Sequence, residues 1–393
     1  MTTMTSWYSG FRPRQGLPPT SARQPFDWPP ELEHFRQLAR DGMAEPFTGL
    51  TTDGTPMSGL FPLRATGVST QRLRDAARAF LATLSPAQQA DACFRLDSPL
   101  WRGWSNVHLY IMRHGACLDD LTAEQRELAL ALVGEALSAE GFETARNVMR
   151  LNHTIGEITG SWADYGEWYY WLSFFGTPSP TEPWGWQLDG HHLILNCLVV
   201  GDQVVLTPMF MGSEPVLAET GKYAGTRVFE AEEARGIALM QALSAPQRAR
   251  ATIGAQVLRE VAAGQFKDNL VQPYEGIRYD QLNTAQQALL RDVIEVYVGR
   301  MHPAHAEQKR DEVHAHLSET HFAWRGESDA SGVFYYRVHS PVLWIEFDHL
   351  PGIALDNDQP SRNHIHTIVR TPNGNDYGKD LLRQHYARHH RAG

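Results

Sequence analysis

The chain has 393 residues, 42% of them hydrophobic and 20% charged, the balance of an ordinary globular protein long enough for two or three domains. Its 45 acidic against 35 basic side chains leave a net charge of −10, and no Lys/Arg cluster is offered to phosphates, which argues against a nucleic-acid partner. Three cysteines, Cys93, Cys117 and Cys197, show no CxxC spacing, which argues against a disulfide framework or thiolate-bound zinc.

The start of the chain lacks a basic segment followed by an apolar one, and no apolar run reaches about 18 residues. The expectation is a cytoplasmic protein with no membrane contact. Residues 1–44 read as an extended N-terminal arm, because Pro, Gly, Ser and Arg crowd residues 1–30 and leave few apolar anchors.

Residues 45–225 form a first unit. Ser69-Thr70-Gln71 offers a cap, and Leu73, Ala77, Phe80 and Leu84 follow helical spacing. Ser85-Pro86 opens a second helix, and Thr122 with Gln125 has the capping-box pattern of a third. The aromatic block Trp162 to Gly176 suits a core or a pocket wall. The apolar run from Trp184 to Cys197 then reads as strand, with Gly190 as a bulge that lets backbones approach.

Residues 226–393 repeat that order. Leu243-Ser244-Ala245-Pro246-Gln247 echoes Leu84-Ser85-Pro86-Ala87-Gln88, and Leu282-Asn283-Thr284-Ala285-Gln286 echoes Leu121-Thr122-Ala123-Glu124-Gln125. A single shift carries Trp186 onto Tyr336 and Cys197 onto Phe347. The expected fold is α+β: a tandem duplication of helix-then-antiparallel-sheet halves about a pseudo-twofold, helices outside. His302, His305, His314 and His316 fall in a polar helical stretch, where a solvated face is expected.

His364-Ile365-His366 differs, because its neighbours are β-forming. In a strand, His364, His366, Ile368 and Arg370 share one face, and so do Glu346 and Asp348. Upstream, one of His191 and His192 is expected to face the same site. Imidazoles from both halves are the donor type for a divalent transition metal, with iron or copper favoured and zinc possible.

In that reading His191 or His192, His364 and His366 are ligands, and Glu346 is a fourth ligand or a base. Arg370 anchors a substrate anion. Asn196, which overlays Glu346, is the other catalytic candidate. Trp184, Trp186, Asp376 and His385 line the substrate pocket. The competing expectation is an imidazole network hydrogen-bonded to Asp348, Asp356 or Asp358.

The expected function is a metal-dependent enzyme acting on a small organic molecule, as a non-haem iron or copper oxidoreductase. Its alternatives are a zinc-dependent hydrolase using the same residues and a non-catalytic small-ligand binding protein. A homodimer is compatible with either.

The blocks Phe175-Gly-Thr-Pro with Pro183-Trp-Gly-Trp-Gln-Leu-Asp-Gly-His-His-Leu-Ile-Leu-Asn, and Asn363-His-Ile-His-Thr-Ile-Val-Arg-Thr-Pro, resemble a bacterial family known only as a domain of unknown function, DUF3500. The resemblance spans about residues 45–387. It carries no activity; it implies that the two histidine blocks belong to one domain and hence to a joint site.

Overall fold

Ser85 and Ser244 each start a helix by the same device. The hydroxyl accepts from the backbone two or three residues on, the glutamine three residues later reaches back, and a proline fills the first turn. Thr122 with Gln125 and Asn283 with Gln286 repeat the reciprocal cap on the next long helices. The computed structural model describes residues 9–16, 21–22, 30–329 and 331–389.

Helix α1 (Glu33–Ala44) precedes the first series. That series runs α2 (Gln71–Ala82), α3 (Pro86–Ala92), β1 (Cys93–Phe94), β2 (Ala116–Cys117), α4 (Ala123–Ala136) and α5 (Ala139–Thr159). It continues with β3 (Tyr170–Phe175), β4 (Trp184–Gly190), β5 (Leu193–Val200), β6 (Gln203–Val205) and β7 (Met209–Ser213).

The second series runs α6 (Glu230–Ala242), α7 (Ala245–Ala251), β8 (Thr252–Gly254), β9 (Ile277–Arg278), α8 (Thr284–Val298) and α9 (Pro303–Ala315). It ends with β10 (His321–Gly326), β11 (Phe334–His339), β12 (Trp344–Leu350), β13 (Ser361–Arg370) and α10 (Lys379–His389). Apart from β6 and α10, the two series match element for element.

The strands form one mixed sheet in the order β1-β3-β4-β5-β7-β13-β12-β11-β10-β8, with β2 on β3, β6 on β5 and β9 on β10. Each half has one short parallel edge pair, β1 with β3 and β8 with β10. The antiparallel pair β7 and β13 joins the halves at the centre.

Register gives the sheet two unlike faces. Phe174, Trp186 and Cys197 stand side by side, as do Trp324, Tyr336, Phe347 and Thr367. Helices cover this apolar face: Phe80 of α2 stacks on Phe174, and the Tyr297 hydroxyl of α8 bonds that of Tyr336. The opposite face carries Gln187 beside Asn196, Arg337 beside Glu346, and Gly212, His366 and Asp348 in one row. No helix of the chain is long and apolar enough to cross a membrane among the described residues.

Two irregular connections, β1–β2 and β8–β9, cover the polar face and bond several of its buried groups. From the first, Ser105 N–H reaches Asp189 at 3.2 Å. From the second, the N–H groups of Ala262 and Ala263 reach Glu346 at 2.6 and 2.8 Å. Arg102 and Asp268 tie the two connections together at 2.6 Å, both buried.

Three expectations are corrected by these placements. Residues 33–44 are helix rather than extended arm, while farther upstream Pro13 makes an isolated bridge to Leu355. The stretch Trp184 to Cys197 is two strands joined by a tight turn, not one bulged strand. His305 is buried in α9, and burial lowers its imidazole to about 4, so its helix face is not fully solvated.

Candidate metal centre

His191 and His192 form a two-residue turn between β4 and β5, closed by the Gly190–Leu193 pair. Such turns need a residue at positive φ; His192 supplies it at φ 63, a conformation unusual for a non-glycine residue and a mark of constraint. Its backbone is pinned on both sides, N–H to Asn106 O at 3.1 Å and C=O from Gly212 N–H at 2.8 Å. The left-handed turn swings the His192 ring over the end of β7, toward β13.

There His192, His364 and His366 converge, all buried, with one ring nitrogen of each within 4.8 Å of the others. His364 Nε2 lies 3.3 Å from His192 Nε2 and 3.1 Å from His366 Nε2. Gly212 makes the room, since a Cβ there would meet His366 Cδ2 at 2.7 Å and His192 Cδ2 at 3.3 Å.

Hydrogen bonding on the far side of the rings fixes their protons. His364 Nδ1 lies 2.7 Å from Pro351 O, and a carbonyl only accepts, so Nδ1 carries the hydrogen. His366 Nδ1 lies 3.0 Å from Glu260 Oε1 and donates to it in the same way. Burial, and then the neighbouring imidazoles, hold His192 and His364 well below the usual histidine range. His192 and His364 are therefore neutral at pH 7, and the His364 Nε2 lone pair faces His366 Nε2.

Two ring nitrogens 3.1 Å apart, each with its Nδ1 hydrogen bonded elsewhere, call for a positive charge between them, a proton or a metal ion. With metal–nitrogen bonds of about 2.0–2.1 Å, the observed spacings subtend roughly 95–110° at an ion, between octahedral and tetrahedral angles. The back-bonded Nδ1–H groups are the support that ligating histidines commonly have.

The Glu260 carboxyl is 39% exposed at the cavity edge. Burial pushes its pKa up, but the His366 ring and the Val261 N–H pull it down to a net value below the carboxylate norm. Glu214 is buried and accepts from the N–H groups of Ile353, Ala354 and Leu355 at 2.9–3.0 Å. It thereby shapes the loop whose Pro351 carbonyl orients His364.

His191 has a different place from His192. Its Nδ1 bonds Asn152 Oδ1 at 2.7 Å, and its ring stacks on His192 with centroids 3.8 Å apart. It supports the ligand cluster rather than joining it. The cluster opens into a cavity of about 490 Å³ that also includes His108, Tyr165, Arg259, Lys267 and residues of α1.

Several other expected site residues lie elsewhere. Glu346 accepts from Ala262 N–H, Ala263 N–H, Tyr335 OH and Trp344 Nε1, so both oxygens are occupied by the fold. Arg370 is fully buried and bonded to Asp376, Asp268 and the Ala263 carbonyl, so it has no reach to a substrate. Asp376 also takes the Thr371 N–H.

Asn196 is held by Gln187 Nε2 at 2.6 Å and donates to Pro208 O at 2.8 Å. Trp184 and Trp186 are buried on the apolar face, away from the histidines, because the two-residue turn reverses the parity expected across Gly190. His385 lies in a separate depression with Glu182, Val200 and Gly201. Asp348 stands across from His366, while Asp356 and Asp358 bond the N-terminal arm.

Glu260, Glu214 and Asn152 escaped the sequence reading. Glu260 sits in an irregular connection, Glu214 follows a strand end and Asn152 lies in mid-helix, so no periodicity or spacing singled them out.

A mixed sheet carrying three converging buried imidazoles defines an α+β protein with a candidate metal centre. The chain belongs to the family described as Protein of unknown function (DUF3500), whose family model matches residues 66–379. No curated protein and no solved structure matches the chain.

Proposed function

We propose that the protein is a metal-dependent enzyme acting on a small organic molecule, with His192, His364 and His366 as the protein ligands. The observation that carries the reading is the convergence of three buried rings, two of them bonded through Nδ1 to the fold, with His364 Nε2 3.1 Å from His366 Nε2. Three imidazoles on one side of an ion leave the cavity side for substrate, and imidazole suits iron, copper and zinc. The bound ion would supply redox or Lewis-acid chemistry. The chain's own residues position it: Pro351 and Glu260 hold the rings, and His191 packs behind His192.

The favoured class is a non-haem iron or copper oxidoreductase. The second reading, a zinc-dependent hydrolase, is supported by the donor set itself, because three histidines with an open position are a known catalytic zinc arrangement. Glu260, at the cavity edge beside His366, is then the candidate base in place of Glu346.

Elemental analysis of protein purified without a chelator or a nickel column, together with oxygen consumption, tests this. About one equivalent of iron or copper with oxygen uptake supports the oxidoreductase, and zinc without uptake supports the hydrolase. Metal-free protein that cannot be loaded, and is unchanged by His364→Ala, overturns both in favour of simple ligand binding.

We also infer that the halves are a diverged tandem duplicate about a pseudo-twofold near the β7–β13 pair. Support comes from matching registers: Phe174–Trp186–Cys197 and Trp324–Tyr336–Phe347 are related by one residue-for-residue shift.

A further inference from the structure

Two cations and two carboxylates stand around the three histidines, and much of the remaining cavity wall is apolar. Phe35 and Leu38 of α1 line it together with Leu109 and Ile353. Leu38 and Ile353 remain 36% and 44% exposed, an apolar rim left open to solvent. A cavity of about 490 Å³ is in the range of small-ligand sites.

Lys267 and Arg259 line the same cavity. Among the described residues neither forms an ion pair; the Arg259 guanidinium reaches only the Asp358 carbonyl at 3.2 Å. Against them stand Glu260, already bonded to His366, and Glu214, whose oxygens are taken by three backbone N–H groups. Imidazoles add no negative charge, so a bound divalent ion would itself bring a positive excess to the cavity.

We propose that the cavity takes a hydrophobic monocarboxylate, its apolar body against Phe35, Leu38, Leu109 and Ile353 and its carboxylate against Lys267 and Arg259. This rests on the metal-enzyme reading for its chemistry and names the substrate class of that same site. A neutral hydrocarbon would make no use of the Lys267 and Arg259 donors, and a polyanion would leave the apolar walls wet. An amphipathic monoanion satisfies both.

The test is calorimetric binding of 4-phenylbutyrate and of 4-phenylbutan-1-ol to metal-loaded and chelator-stripped protein. The acid is expected to bind about tenfold more tightly than the alcohol, the scale of one charged hydrogen bond. Lys267→Gln and Arg259→Gln are each expected to remove most of that preference while leaving the alcohol unchanged. Lys267 is exposed, so folding is not at stake.

Equal binding of acid and alcohol, or a preference untouched by both variants, overturns the assignment. So does a preference that disappears with the metal and ignores Lys267, because the carboxylate then sits on the ion. If no metal binds but the acid preference still depends on Lys267, the ligand class stands and the metal reading falls. The two failures are thus distinguished.

Discussion

Glu260 Oε1 accepts the Nδ1 hydrogen of His366 at 3.0 Å, so a residue of the β8–β9 connection sets the proton position of a ring on the central strand β13. Such a partner fixes the tautomer that exposes Nε2 and strengthens it as a donor. Glu260→Gln keeps the shape but offers a weaker, neutral partner. Metal affinity should fall about 10–100-fold with the fold intact, as read by chelator competition and circular dichroism.

Gly212 offers a second route to the same ring. A methyl group there would press on His366 Cδ2 at 2.7 Å and on the Ile365 carbonyl at 2.9 Å. The carbonyl belongs to the sheet and has little room to shift, so the imidazole must move. Gly212→Ala should therefore cost metal affinity and about 1–3 kcal/mol of stability, the usual scale for overpacking. Titrations of metal uptake and urea unfolding on the same variant would check both.

Glu346 separates a structural role from a ligand role. Its oxygens accept from two backbone N–H groups, a tyrosine and a tryptophan, all around a fully buried carboxylate. Glu346→Gln turns an NH₂ group toward donors that have no other acceptor, at a cost of about 2–4 kcal/mol. Metal content per folded chain should be unchanged. Loss of metal with normal urea stability would instead return Glu346 to the centre.

The partial legibility of this site follows from where its information sits. The helices at Ser85, Thr122 and Ser244 are readable because their start signals are local: a hydroxyl and a glutamine at fixed spacing, with a proline in the first turn at Ser85 and Ser244. His364 and His366 are readable because strand alternation puts them on one face, and neighbours such as Ile365 and Ile368 mark the strand.

His192 was harder to place. Its turn lacks the Asn-Gly or Gly-Gly that usually announces two residues between strands. Reading through it as strand reversed the parity of Trp184 and Trp186. The roles of Glu346 and Arg370 depended on the connections that cover the polar face, and those have no periodicity to read.

His114 allows a pH test away from the metal. Burial lowers its imidazole to about 4, against the Gln187 hydrogen bond at 2.8 Å, which raises it. The unfolded chain takes up this proton near the ordinary histidine value of 6.5 and the folded one only near 4, so the unfolded state binds more protons in that window. The contribution of His114 to stability is therefore lost as pH falls from 6.5 toward 4. His114→Gln should flatten the stability–pH slope there by about 1.4 kcal/mol per pH unit, measured by urea unfolding at stepped pH.

The interlocks at Gln125 and Gln286 test whether the halves are energetically as well as topologically alike. Gln125 accepts from Thr122 N–H at 3.0 Å and donates to Thr83 O at 2.8 Å, joining α4 to the end of α2. Gln286 accepts from Asn283 N–H at 2.9 Å and donates to Ala242 O at 2.8 Å, joining α8 to the end of α6. Both side chains are buried, so truncation leaves a cap donor and a helix-end carbonyl without partners in each half. Gln125→Ala and Gln286→Ala should each cost about 1–3 kcal/mol, with costs that add in the double variant because the sites share no partner. A large cost at one and none at the other in urea unfolding would mean that only one half keeps the joint as a working element, whatever its ancestry.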